Sequence, residues 1–161
     1  MNFSLEYCNM LYLSTIISDA KNIVEFGTGT GASTYAFSEA IKLTNGNLWS
    51  VDIAECKTVR NKYVDNKNII FVQSDSVEFI KNWNNGNIDI LLCDSDHSYE
   101  RVYRELDASI KYNPKIIFIH DTLFGDYTIA PPYNACVDFS KKHNLKFMNY
   151  DFQHGFGVII K

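Results

Sequence analysis

Polar residues able to do chemistry recur at the ends of apolar runs: Glu25 in IVEFGTGTGAST, Asp52 closing NLWSVD, Asp75 and Ser76 in FVQSDS, Asp94 and His97 in LLCDSDHSY, and His120 with Asp121 in FIHDTLF. Gly27, Gly29 and Gly31 permit a tight turn and close backbone approach, and Thr30–Thr34 opens a helix whose free N–H groups favour an electron-rich ligand. A carboxylate at Glu25, inside a buried strand end, needs a partner, which a cationic ligand would provide. Asp52 lies 21 residues beyond Gly31, where a ribose-binding acid belongs. Asp75 and Ser76 stand where the amino group of an adenine can be hydrogen-bonded.

Positioning these groups requires strands that end side by side. Strand-length apolar runs at Asn22–Phe26, Asn47–Ile53, Ile69–Val72, Ile88–Cys93 and Lys115–Ile119 are each followed by helical periodicity. In Ala32–Leu43 the stripe is Tyr35, Ala36, Ala40, Ile41 and Leu43, stopped by Asn45-Gly46; in Tyr99–Tyr112 it is Val102, Tyr103, Leu106 and Ile110. Runs such as IDILLC and KIIFI are apolar at nearly every position, as parallel strands covered on both faces should be. Leu145–Phe152 and Phe156–Lys161 are too close for a crossover and predict an antiparallel hairpin. The expected fold is α/β: a Rossmann-like three-layer sandwich with a seven-stranded, mostly parallel sheet and a C-terminal antiparallel hairpin. Phe3–Ala20 is expected to be an amphipathic helix leading into the first strand, and residues 1–161 to form one domain.

Composition narrows the function. With 15 basic and 19 acidic residues the formal charge is −4, so no global positive field draws in nucleic acid. Cys8, Cys56, Cys93 and Cys136 occur singly, fitting neither a zinc knuckle nor a disulfide framework, and read as reduced cysteines of a cytoplasmic protein. The uncharged run Tyr7–Ser18 is too short to span a bilayer and lacks a basic leader, so no membrane partner is expected. Trp49, Trp83, Phe71 and Phe79 read as packing, and His143 and His154 as solvated or structural. Gly125–Asn134, with Tyr127, Pro131-Pro132 and Tyr133, reads as a loop overhanging the crevice, in contact with substrate or an ordinary connector.

Taken alone, the glycine loop also fits a plain strand-to-helix turn or the dinucleotide fingerprint Gly27-x-Gly29-x-x-Ala32. Together with the later strand ends, the sequence resembles a class I S-adenosylmethionine-dependent methyltransferase over Asn22 to Lys161. DSDHSYERVYREL followed by IFIHDT is similar to the branch holding small bacterial O-methyltransferases and cephalosporin-hydroxylase-like proteins. The resemblance implies methyl transfer from S-adenosylmethionine to an oxygen of a small-molecule acceptor. In it Glu25, Gly27, Gly29 and Gly31 hold the methionine part of the cofactor, Asp52 the ribose and Asp75 with Ser76 the adenine, with Asp94 also beside the cofactor. One departure is Tyr112-Asn113-Pro114-Lys115, where the family has a Gly-Gly turn.

The same resemblance implies a divalent metal, magnesium or manganese, at Asp94, His120 and Asp121. Oxygen ligands suit magnesium; imidazole shifts preference toward softer ions, unless His120 orients Asp121 from behind or is a strand-end histidine with no metal. His97 matches the position of a lysine that takes the substrate proton, and imidazole can serve as that base near neutral pH. Asp96, His97 and Ser98 read equally as a helix cap. With about 20 residues before the first strand, the acceptor pocket is expected to be open or completed by a second copy in a homo-oligomer. A non-catalytic S-adenosylmethionine-binding protein and an NAD-dependent oxidoreductase are the competing readings.

Overall fold

The computed structural model describes residues 5–123, 130–152 and 154–161. Its elements in chain order are α1 (Leu5–Ile17), β1 (Asn22–Phe26), α2 (Ala32–Thr44), β2 (Asn47–Asp52), α3 (Lys57–Lys62), β3 (Ile69–Gln73), α4 (Ser76–Lys81), β4 (Ile90–Cys93), α5 (Tyr99–Ser109) with a 3-10 turn at Ile110–Tyr112, β5 (Ile116–His120), α6 (Pro131–His143), β6 (Lys146–Tyr150) and β7 (Phe156–Ile160). The strands form one sheet in the order β3-β2-β1-β4-β5-β7-β6. The first five are parallel, and β7 runs antiparallel between β5 and β6. This is the expected α/β sandwich with its terminal hairpin.

Alternation along the central strands buries both faces, as period-two side chains require. Ile23, Ile90 and Leu92 pack with Tyr7, Leu11, Phe37 and Ile41 of α1 and α2. Val24, Phe26, Leu91 and Cys93 pack on the other face with Ile80, Val102, Leu106 and Phe139 of α4, α5 and α6. Each fully buried Phe or Leu stabilises the fold by about 1.5–3 kcal/mol.

Several boundaries differ from the expectation. Over its described part α1 is not amphipathic: Tyr7 and Leu11 are buried while Leu13 and Ile17 face solvent. In α2 the inward face is Ala36, Phe37, Ala40 and Ile41, and Tyr35 and Leu43 point outward, since a stripe of 100° cannot hold positions 35 and 43 beside 36 and 40. β4 starts at Ile90, and Asp89 just before it ties the strand start to both neighbours: its N–H donates to Asn22 O at 2.8 Å, its carbonyl accepts from Ile116 N, Oδ2 accepts from the Lys21 and Asn22 N–H groups and Oδ1 pairs with Lys115 at 2.7 Å. At the departed Gly-Gly turn, Asn113 takes the left-handed conformation (φ +56°) that glycine would supply.

Pro131 and Pro132 open α6 rather than continuing a loop, in keeping with proline at the first helical positions. Tyr133 and Asn134, expected in the same loop, also lie in α6, and residues 125–129, Tyr127 among them, lie outside the described residues. All four cysteines are free. Among the described residues no helix is long and apolar enough to cross a membrane. Trp49 and Trp83 meet edge to face at 4.7 Å, and Trp83 packs on Phe79, so they are packing residues as expected. His143 packs on the Phe139 ring at 4.6 Å, a structural role, and His154 is exposed.

Candidate active site

Strand order reverses between β1 and β4, so the ligand crevice of the sheet opens beyond their carboxyl ends. There Gly27 (φ +92°) lets β1 turn directly against β4: a Cβ on it would stand 2.0 Å from the Asp94 carbonyl oxygen. Gly29 has open space around its Cα and faces the crevice. A cavity of about 250 Å³ lies here, bounded by Gly27, Gly29, Asp52, Asp75, Ser76 and Asp94, six of the eight expected cofactor residues. Gly31 instead borders a second, less polar cavity with Cys8, Tyr35 and Tyr63.

Glu25 lies behind the loop, fully buried. Its partners come from within the chain: Oε1 accepts from the Thr34 hydroxyl and, at 2.5 Å, from Ser50. Since the Ser50 proton is spent on Glu25, Thr28 must donate to Ser50 across their 2.7 Å contact, which ties the glycine loop to the buried acid. Burial pushes the Glu25 carboxyl up to about 7 despite hydrogen bonds from Ser50, Thr34 and Ser33.

Asp52 reaches back to the loop, accepting from Gly29 N at 3.1 Å through Oδ2 and from Ala54 N through Oδ1. Ile53, expected to extend β2, is instead 76% exposed and forms an apolar lip on the cavity. Asp75 has work of its own. It caps α4, accepting from the Val77 and Glu78 N–H groups, and pairs with Arg101 at 2.7 Å. Those bonds outweigh its burial and hold its carboxyl below the ordinary range.

Across the crevice the ends of β4 and β5 bring Asp94, His97, His120 and Asp121 together. His97 Nε2 is 3.6 Å from Asp94 Oδ1 and 3.4 Å from Asp121 Oδ2; His120 Nδ1 is 3.3 Å from Asp94 Oδ1 and 3.0 Å from Asp121 Oδ1. Asp121 takes a left-handed backbone (φ +52°), which turns the chain sharply after β5; aspartate tolerates this better than most side chains. The trio whose ligand atoms all lie within 4.8 Å of one another is Asp94, His97 and Asp121. His120 faces the same carboxylates from behind, with the Tyr7 ring against it at 4.6 Å. The helix cap is made by Ser98, accepting from Arg101 N, with Asp96 accepting from Ser98 N, so capping does not account for His97.

Electrostatically the cluster is two carboxylates sharing two imidazoles. Burial opposes ionisation of Asp94, but the bonds from His120 and His97 hold its carboxyl below the usual range. The bond to Asp94 raises His97 above imidazole's ordinary value. His120, although burial resists its charge, is pushed up to about 10 by Asp121 and Asp94.

Two residues of this region were not singled out in the sequence. Glu105 of α5 is fully buried and accepts from the Ser76 and Ser95 hydroxyls, both on the cavity wall. It follows Val102 by three residues and precedes Ser109 by four, so helical spacing alone puts it on the buried face. Tyr7 is reached only through the packing of α1, and no local pattern marks it.

Seven strands in this order, with the seventh reversed and a glycine turn at the switch point, form a Rossmann-like fold of the methyltransferase type. The chain belongs to the methyltransferase-domain family, whose model matches residues 24–122. O-methyltransferase ankF of Aspergillus thermomutatus is 27% identical over 150 residues, covering 86% of this chain; the chain thus spans 59% of that relative's length. The SAH-bound methyltransferase PaMTH1 of Podospora anserina superposes with a TM-score of 0.74 at 15% identity, over 99% of this chain and 79% of that one. The O-methyltransferase of Bacillus cereus in complex with SAH gives 0.73 at 16% identity, over 99% and 83%.

Proposed function

We propose that the chain transfers a methyl group from S-adenosylmethionine to an oxygen of a small-molecule acceptor, assisted by a divalent cation. One observation carries this reading: Asp94 belongs both to the cavity and to the cluster of carboxylates and imidazoles, so a donor in the one and an acceptor held by the other would meet at a single side chain. Family membership, the O-methyltransferase relative and the SAH named for the two solved structures support it.

In this reading Asp52 holds the ribose, Ser76 and Ile53 border the base, and the glycine loop takes the methionine end. Asp94, His97 and Asp121 would hold the cation, and His120 would orient the two carboxylates from behind. When bound, a divalent cation supplies Lewis-acid polarisation of the acceptor hydroxyl. His97 has two candidate roles, third ligand and acceptor of the hydroxyl proton, because the same Nε2 faces both carboxylates.

Calorimetric titration of S-adenosylmethionine into metal-stripped protein is expected to give micromolar binding that changes in affinity or enthalpy when magnesium or manganese is added. Binding indifferent to metal would remove the cation from the proposal. No binding, with NAD binding in its place, would overturn it. Metal affinity itself should be higher at pH 8 than at pH 6, since the His97 imidazole, held above its ordinary pKa, must lose its proton to accept an ion.

His97→Ala is expected to lower turnover about 100-fold, the usual size of a lost general base. If metal affinity is unchanged, His97 is the base; if affinity falls in parallel, it is a ligand. Full turnover in the variant would exclude both roles.

A further inference from the structure

Glu105 explains a feature of the cavity that the proposed function leaves open, which is how its wall distinguishes one purine from another. The side chain is fully buried in the middle of α5. Its Oε1 accepts from two hydroxyls that arrive from different parts of the chain, Ser76 Oγ at the start of α4 and Ser95 Oγ just after β4. Both serines form the cavity wall, beside Asp75 and Asp96, while Arg101, the one basic side chain there among the described residues, is already engaged by Asp75.

A serine hydroxyl has one proton and two lone pairs. With both protons committed to Glu105, Ser76 and Ser95 offer the cavity lone pairs alone. We propose that Glu105 is a positioning residue that fixes both hydroxyls as acceptors, so that this end of the cavity selects a purine carrying an exocyclic amino group over one carrying a carbonyl at the same position. The identity of the ligand rests on the methyltransferase reading; the polarity of the wall rests on the geometry of Glu105, Ser76 and Ser95. An amino group meets acceptors it can donate to, whereas a carbonyl oxygen would face the lone pairs of two hydroxyls unable to turn. Removing Glu105 frees both hydroxyls to rotate and donate, which abolishes the distinction.

The test compares binding of S-adenosylhomocysteine and S-inosylhomocysteine by calorimetry at pH 8. That pH is above the value of about 7 to which burial pushes the Glu105 carboxyl, so the group can only accept. The wild-type chain should prefer the adenosyl compound by about tenfold or more, the effect of one mispaired buried hydrogen bond. Glu105→Leu should bring the two affinities within about threefold of each other by the same arithmetic. Glu105→Gln, whose amide oxygen can still accept both hydroxyls, should restore the preference, which a role in packing alone would not require. Should Glu105→Leu fail to fold, the double variant Ser76→Ala with Ser95→Ala reads the same quantity by deleting the acceptors themselves. A preference unchanged in Glu105→Leu, or in the double variant, overturns the inference. Wild-type protein that binds both compounds equally overturns it too, yet leaves the methyltransferase reading standing; wild-type protein that binds neither removes that reading.

Discussion

Gly27→Ala should cost the protein at least about 4 kcal/mol, an exceptional loss for one substitution, of the kind that overpacking and backbone strain produce. Two effects act together. At φ +92° any side chain is strained. In addition the new Cβ would lie 2.0 Å from the carbonyl oxygen and 2.6 Å from the carbonyl carbon of Asp94, and both are main chain, so no rotamer change relieves the overlap. Nor can the strands separate cheaply. Gly27 N donates to Val51 O at 2.8 Å on one side, and Asp94 N donates to Phe26 O at 2.9 Å on the other, so displacing the turn breaks pairings at the centre of the sheet. Gly29→Ala is the informative control. Its φ of +48° carries a strain of about 1 kcal/mol, but nothing lies within 4 Å of its Cβ. The methyl projects into open space at a residue of the cavity wall, so stability should be largely kept while cofactor affinity falls. Urea unfolding of both variants, with calorimetry on Gly29→Ala, measures the separation. Equal stability losses would mean that close packing at Gly27 is not what fixes the β1–β4 turn.

The same contact explains how much of the site could be read in advance. Where function depends on strand ends, sequence order carries it: a parallel sheet sets the ends of β1, β2, β3, β4 and β5 along one edge, so the polar residue closing each apolar run must face the crevice. Asp52, Asp94, His120 and Asp121 were legible for that reason. Glu105 was not, because the apolar stripe of α5 draws attention to Val102 and Leu106; spacing puts the carboxylate on that buried face, but the serines that receive it there follow β3 and β4, far away in the chain. Asp75 shows the converse: its place after β3 was legible, but its pair with Arg101 depends on a helix 26 residues further on. Tyr35 and Leu43 were assigned inward because hydrophobicity was counted without phase, and a helix lying on a sheet buries a narrower arc than those positions span.

Between pH 5 and pH 8 the metal-free protein should lose several kcal/mol of stability, with its Tm falling by on the order of 10 °C. Burial raises Glu25 and Glu105 from an ordinary 4.5 to about 7. As pH climbs through 4.5 the unfolded chain gives up these two protons while the folded chain keeps them, so folding is penalised progressively until pH passes 7. The shift corresponds to a ceiling of roughly 3 kcal/mol for each group. The imidazoles act in the same direction by the opposite route. His97 and His120 are raised by their carboxylates, so the stability they add is complete below their ordinary 6.5 and drains away above it, reaching for His120 toward about 10. The depressed carboxylates do not offset this. Asp75, Asp89 and Asp94 lie below an ordinary 3.8, and what they add is lost only in acid well under pH 5. Melting curves with chelator present test the slope, and Glu25→Gln combined with Glu105→Gln should flatten most of it between pH 5 and pH 7, leaving the histidine limb above. A slope that survives in the double variant would place the titrating groups elsewhere, and both buried acids would then have to be ionised in the folded chain.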